Sequence, residues 1–328
     1  MSDCIKISNV HVDFRGVSAL QGVNLQVPTG SVFALLGENG AGKTTLIRVL
    51  TGYQEPNLGY CEVLGIDPER HALEIRRRVG YVSDSPALYE WMRIDEIGWF
   101  TASFYPKGFI ERYKASIERY QLPLEKKLKY LSKGQRAKVA LSLAMAHDPE
   151  LLILDEPTSG LDPLVRREFM ESMVDRATAG KTVLLSSHHI SEVERVADHV
   201  CIIHQGKVKL VGDLETLQKT VLEVSLLFKD PTCPSPMIPV PSEILSMERD
   251  GSQARWIVKS DSLQLQKSLE SWPGVQQVRI RPASLEEVFV ACTRGDRKSP
   301  DHSSEKGTEQ VGNWNAALHA FRSNQQVS

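Results

Sequence analysis

No two cysteines in this chain stand at a metal-ligand or redox spacing: Cys4, Cys61, Cys201, Cys233 and Cys292 are scattered over 328 residues. That pattern indicates neither a zinc site nor a disulfide framework, and leaves buried or incidental thiols in a reducing compartment. No apolar run approaches the ~18–20 residues a bilayer span needs, and the N-terminus lacks a basic-then-apolar leader. Any membrane role must therefore come through a partner. Excess charge is missing too: a formal net charge of -2 argues against a general polyanion binder, so nucleic acid is not expected as a partner. What is present is ordinary for a globular protein, with 41% hydrophobic and 24% charged residues and length enough for two or so domains. There is no internal repeat.

Against this plain background one stretch stands out, Gly37–Glu38–Asn39–Gly40–Ala41–Gly42–Lys43–Thr44, followed by Thr45. It fits the phosphate-loop pattern of two glycines, a lysine and a hydroxyl residue. A glycine-rich turn lets successive backbone N–H groups face nucleotide phosphates with no Cβ in the way, and a helix starting there adds its positive end. Lys43 would reach the β- and γ-phosphates, and the Thr44 hydroxyl would help hold Mg²⁺. The flanks agree, since Ser31–Leu36 is an apolar run of strand length and Leu46, Ile47, Val49 and Leu50 suit a buried helix face.

Residues 3 to 36 read as β structure, with apolar residues at period two from Ile5 to Phe14 and from Val23 to Val27. Phe14, at one strand's end, is either a core aromatic or a ring that stacks on adenine. A charged helix up to Arg78 leads into the short strand Val79–Val82, which Ser83–Pro86 breaks. Residues 94 to 130 read as mostly helical, and the spacing of Trp99, Phe100, Phe104 and Tyr105 predicts a core stripe. Leu131–Gln135 precedes another helix, and Leu151–Glu156 is four apolar residues followed by two acids. Such a run suits a strand buried on both faces, with its carboxylates emerging where parallel sheets bind ligands. Thr182–His188 repeats the design. Val200–Ile203 and Lys207–Val211 predict a hairpin. Beyond 218 the character changes: a strand over Val221–Phe228, a loop with five prolines over Lys229–Pro241, strands at Trp256–Val258 and Val275–Ile280, and a helix with a capping box from Ser284. Residues 219–293 thus read as a small accessory domain, and 294–328 as a disordered tail in which Trp314, Leu318 and Phe321 have helical spacing.

Together these pieces predict a nucleoside-triphosphate-hydrolysing site. Asp155 is placed to hold Mg²⁺ opposite Thr44. Glu156 can polarise the attacking water as general base. His188, at the end of its strand, can hydrogen-bond the γ-phosphate.

These residues resemble the ATP-binding subunits of ABC transporters over residues 3–217. Gly37–Thr45 is similar to that family's phosphate loop, Leu131–Gln135 to its signature motif, Leu151–Glu156 to its second nucleotide motif, Ser159–Asp162 to its dimer-contacting loop and His188 to its switch histidine. The resemblance implies an α/β fold: a P-loop NTPase core with an antiparallel β subdomain and a helical signature subdomain at about 86–149, within an ATPase domain of 1–218, plus the small α+β C-terminal domain. It implies ATP and Mg²⁺ as cofactors and a second ABC ATPase chain, identical or not, packed head to tail. Ser132, Gly134 and Gln135 of one chain would then cap the ATP held by the other, with Asp162 at the contact. It also implies integral membrane permease subunits as partners and a cytoplasmic location, peripheral on the inner face of the cell membrane. Gly80–Trp91 and Ser284–Phe289 resemble export-type members more narrowly.

Two positions depart from the family pattern. Lys133 stands where the signature usually has glycine. Asp84 stands where a glutamine usually meets the metal and its water; a carboxylate can still bind Mg²⁺ but cannot donate a hydrogen bond when ionised. The competing reading is a soluble ABC-type mechanical ATPase acting on ribosomes or DNA. Ribosome-acting members typically carry two nucleotide domains in one chain and DNA-acting ones a long coiled-coil insertion, and this sequence has neither.

Overall fold

The computed structural model describes residues 3–239 and 242–294. Trp314, Leu318 and Phe321, with the rest of the expected tail beyond Arg294, lie outside the described residues.

Strands β1 (Asp3–Phe14) and β2 (Val17–Pro28) pair antiparallel, with Ile5 opposite Val27 and Ile7 opposite Leu25. Next come β3 (Val32–Leu36), the glycine-rich loop and α1 (Lys43–Leu50). A strand that the sequence reading did not include, β4 (Leu58–Val63), pairs with the free edge of β1 and completes a sheet of order β2-β1-β4. Helix α2 (Ala72–Arg78) runs into β5 (Val79–Val82). Three helices follow, α3 (Ile94–Ala102), α4 (Phe109–Arg119) and α5 (Lys133–Met145). The chain then alternates through β6 (Leu151–Asp155), α6 (Pro163–Thr178), β7 (Thr182–Ser187) and α7 (Ile190–Val196). The hairpin of β8 (His199–His204) and β9 (Lys207–Asp213) closes this part.

The central sheet has the order β5-β6-β7-β3-β8-β9, and every neighbouring pair is parallel except β8 with β9. All positions of β3, β6 and β7 are buried, which is why Val32–Leu36, Leu151–Leu154 and Val183–Leu185 read as apolar runs. Alternate residues serve opposite faces. Phe33 and Leu35 join a cluster with α1 and the antiparallel sheet, whereas Ala34 and Leu36 join one with Phe169 and Met173 of α6 and Val193 of α7. The helices α3 to α5 have their own cluster around Ile94, Ile97, Phe109, Tyr113 and Val139.

Past the hairpin, α8 (Leu214–Thr220) leads to β10 (Val221–Phe228), β11 (Glu243–Asp250), β12 (Gln253–Lys259), α9 (Ser262–Glu270), β13 (Val275–Pro282) and α10 (Leu285–Arg294). The four strands form an antiparallel sheet of order β11-β12-β10-β13, with Trp256 fully buried between it and α9. Ser284 and Glu287 make the expected capping box: the Ser284 N–H donates to Glu287 at 2.9 Å and the Glu287 N–H to Ser284 Oγ at 3.3 Å. Arg281 and Arg255 bridge Glu287 to Glu223, and Arg281 holds the Glu287 carboxyl well below the usual carboxylate range. Leu285, Val288 and Ala291 of α10 share a core with α6 and α7, so apolar packing crosses the boundary expected at 218.

One expectation fails. Trp99 is 59% exposed, Phe104 64%, and Phe100 lies on the surface as well. Helix α3 ends at Ala102, so helical spacing does not extend to Phe104 and Tyr105, and its buried face is Ile94, Ile97 and Gly98. A Cβ on Gly98 would sit 2.3 Å from the Tyr113 ring, so that face is filled from α4 and the aromatics turn outward. Tyr105 alone turns inward, stacking on His147 at 4.4 Å between ring centroids.

Burial pushes the His147 imidazole down to about 4 from its ordinary 6.5. The unfolded chain then takes up its proton first, so stability is complete above about pH 6.5 and falls as pH drops toward about 4. His147→Phe keeps the ring stack and removes the titration. Its thermal midpoint should therefore fall less between pH 7 and pH 5 than that of the wild type; equal falls would show that His147 does not contribute. The described cysteines are all free, and burial raises the thiols of Cys61 and Cys201 to about 12, as expected for inert core residues.

Candidate functional site

The glycine-rich loop hangs between β3 and α1, at the C-terminal end of the central sheet. Its glycines are needed for packing as much as for ligand approach. A Cβ on Gly37 would meet the Ile203 carbonyl at 2.6 Å, and one on Gly42, where φ is +108°, would meet the Ala19 carbonyl at 2.7 Å. Gly40, with φ +81°, faces open space. The loop is thus clamped at Gly37 and Gly42 and open at Gly40. The Gly206 N–H donates to the Ala41 carbonyl at 2.9 Å, so the β8–β9 turn also braces it. Helix α1 begins at Lys43 with no side-chain cap and no acidic residue in its first turn, which leaves its positive end available to an anion. Thr44 is exposed and Thr45 half-buried, beside the solvent-facing Glu38 and Asn39.

Lys43 is only 6% exposed. Its Nζ donates to the Gly37 carbonyl at 2.6 Å and the Glu38 carbonyl at 3.2 Å, and lies 3.0 Å from Glu156 Oε1. The other Glu156 oxygen accepts from His188 Nδ1 at 2.7 Å. One carboxylate therefore joins the lysine after β3 to the histidine after β7. Glu156 reaches this position from a left-handed backbone, φ +48°, which is costly for a residue with a Cβ. The strain is held by a residue the motif reading omitted. Ser186 Oγ accepts from the Glu156 N–H at 3.0 Å and donates to Asp155 Oδ1 at 2.7 Å. Ser186 sits directly opposite Asp155 in the β6–β7 register. A polar residue closing the apolar run Val183–Leu185 was the available signal.

For a divalent cation the donors present are Asp155, 1% exposed with one oxygen on Ser186, and the Thr44 hydroxyl. Asp84 emerges exposed at the same sheet end, because Val82 pairs with Leu154. No group of three or more His, Cys, Asp or Glu suited to a metal occurs among the described residues. Such a sparse set fits Mg²⁺, which keeps several waters and takes phosphate oxygens when held by one or two protein ligands.

The other candidates are held by contacts of their own. Ser132 caps α5, its Oγ accepting from the Gln135 N–H at 3.2 Å while Gln135 Oε1 accepts from the Ser132 N–H at 3.2 Å. Gln135 is thus occupied in a capping box, and Ser132 and Lys133 stay exposed above the half-buried Gly134. Asp162 caps α6, accepting from the Leu164 and Val165 N–H groups at 3.1 and 3.0 Å. Among the described residues, no hydrogen bond or ion pair links Ser132, Gly134, Gln135 or Asp162 to Lys43, Glu156 or His188. Phe14, at 42% exposure, is no core aromatic; it closes the β1–β2 hairpin opposite Val17, and β2 continues from there to the Ala19 and Leu20 contacts with Gly42.

A family model described as ABC transporter matches residues 20–159. The chain is 39% identical over 216 residues to an uncharacterized ABC transporter ATP-binding protein of Nostoc sp., spanning 61% of this chain and 62% of that one. It is 35% identical over 239 residues to the nickel import ATP-binding protein NikO of Rhodobacter capsulatus, covering 68% of this chain and 94% of the relative. Nod factor export ATP-binding protein I of Neorhizobium galegae aligns over 88% of this chain and 84% of its own length at 28% identity. A solved structure of the ATP binding subunit of an ABC transporter superposes with a TM-score of 0.62 at 30% identity, covering 66% of this chain and 92% of that chain.

Proposed function

The chain belongs to the ABC transporter family as one of its ATP-binding subunits, and from that premise we propose that it hydrolyses ATP within a head-to-tail dimer and drives separate integral membrane subunits, in the export direction. The observation that carries the reading is the Lys43–Glu156–His188 chain, which gathers a phosphate-binding cation, a base and a hydrogen-bonding ring at three strand ends. In this reading Gly37–Thr45 cradles the phosphates, and Glu156 takes the proton of the attacking water. His188, whose Nδ1 is engaged by Glu156, turns Nε2 to the γ-phosphate. Thr44 and Asp155, with Asp84, would hold Mg²⁺, which when bound would supply positive charge to the phosphate oxygens. Phe14 stacks on the adenine.

The second half of each site comes from the partner. The exposed Ser132, the Gly134 N–H and the positive end of α5 suit a phosphate presented from outside the chain, which accords with the lack of any bond from them to Lys43 among the described residues. Export is favoured because the alignment to the export relative reaches far into residues 219–293, the accessory domain, while that to the import relative covers less of the chain. No described helix is long and apolar enough to cross a membrane. In this reading the chain attaches peripherally at the cytoplasmic face through permease subunits.

The full chain, tagged and recovered from detergent-solubilised membranes, should bring integral membrane proteins with it. Recovery with ribosomes or DNA and no membrane protein would overturn the transport reading in favour of a soluble mechanical ATPase.

A further inference from the structure

Helix α7 follows His188 directly, and its first turn carries a carboxylate that the chemistry above does not use. Glu192 is 7% exposed. Its Oε2 accepts from the Thr158 hydroxyl at 2.7 Å, and its Oε1 lies 3.0 Å from Arg166 Nη1. Thr158, itself buried, is two residues beyond Glu156. Arg166, in the first turns of α6, reaches back with Nη2 to the Leu161 carbonyl at 3.3 Å. A single buried carboxylate four residues after His188 thus grips the segment 156–162 near both of its ends. Helix packing alone gives no reason for a charge here, since Val193 already anchors α7 in the core and apolar residues often replace a buried ion pair without loss of stability.

We propose that Glu192 is a positioning residue for hydrolysis. It fixes the register between the Glu156–Asp162 turn and His188, and so holds Glu156 at its 2.7 Å bond to the histidine. It acts through Thr158 and Arg166 and touches no nucleotide, a role that rests on Glu156 and His188 being the hydrolytic pair.

Steady-state ATPase assays of the full chain with Mg-ATP test this in Glu192→Gln, Thr158→Val, the double variant and Glu156→Gln. Glu192→Gln should lose roughly 10–100-fold in kcat, the scale of a small misplacement transmitted to the chemistry. Its KM for ATP should stay within about twofold, since ground-state binding is untouched. Thr158→Val should move kcat in the same direction, and the double variant should be no slower than the worse single one, because the two act as a unit. Wild-type kcat in Glu192→Gln, a raised KM at unchanged kcat, or losses that add in the double variant would each overturn the proposal. If Glu192→Gln does not fold, Thr158→Val decides alone, and wild-type turnover there has the same consequence. Normal turnover in Glu156→Gln would instead overturn the hydrolytic pair itself, so the two failures are distinguishable.

Discussion

Glu156→Gln is expected to cut ATP turnover by ~10²–10⁴-fold, the usual share of a general base, while ATP binding is retained. The retained binding follows from the ion pair. Without nucleotide, Glu156 is the counter-charge of the nearly buried Lys43 at 3.0 Å, so phosphate oxygens must compete with it for that ammonium. The amide is neutral and removes the competitor, and ATP should bind this variant at least as tightly as wild type. With no nucleotide, Lys43 loses its only anionic partner among the described residues, and the variant should be less heat-stable. ATP should restore the midpoint by mass action. Because hydrolysis no longer discharges the γ-phosphate, an ATP-bound dimer should accumulate, readable by size-exclusion chromatography with and without ATP. A variant that stays monomeric at every ATP concentration yet turns over at the wild-type rate would sink both the base assignment and the dimer mechanism.

The parts of this site that could be read from the sequence are those whose chemistry is local. A glycine spacing, a lysine after it and an apolar run ending in two acids each specify a conformation within a few residues, and β3, β6 and β7 lie where those runs put them. What could not be read depends on register between distant segments. Ser186 matters because it falls opposite Asp155, and Glu192 because α7 brings it against Thr158, 34 residues back in the chain. Neither pairing leaves a periodic trace. The strand β11 was missed for a different reason: an edge strand exposed along most of its length needs no apolar alternation, and Glu243–Asp250 has little. The α9 signal was available, since Asp261 accepts from the Leu263 and Gln264 N–H groups as an ordinary helix cap. The aromatic stripe misled because α3 ends at Ala102, before Phe104, and because its buried face is Ile94, Ile97 and Gly98, which leaves Trp99 and Phe100 outward.

Lys43→Ala should abolish measurable ATP binding, and turnover with it. The ammonium is aligned in advance by the Gly37 and Glu38 carbonyls, so it meets a phosphate with little of its side-chain entropy left to lose. Two charge-assisted hydrogen bonds to phosphate, at about 1.5–3 kcal/mol each, correspond to a loss of ~10²–10⁴ in affinity. The vacated position also leaves Glu156 Oε1 without a counter-charge, facing the phosphates as a like charge. Lys43→Arg separates position from charge. A planar guanidinium cannot enter a space bounded by a carbonyl at 2.6 Å and a carboxylate at 3.0 Å without displacing the loop, and Gly37 is already pinned against Ile203. Arginine should therefore fail nearly as badly as alanine when titrated with a fluorescent ATP analogue. If Lys43→Arg binds ATP like the wild type, charge alone is sufficient and the clamped geometry of the loop is not what selects the lysine.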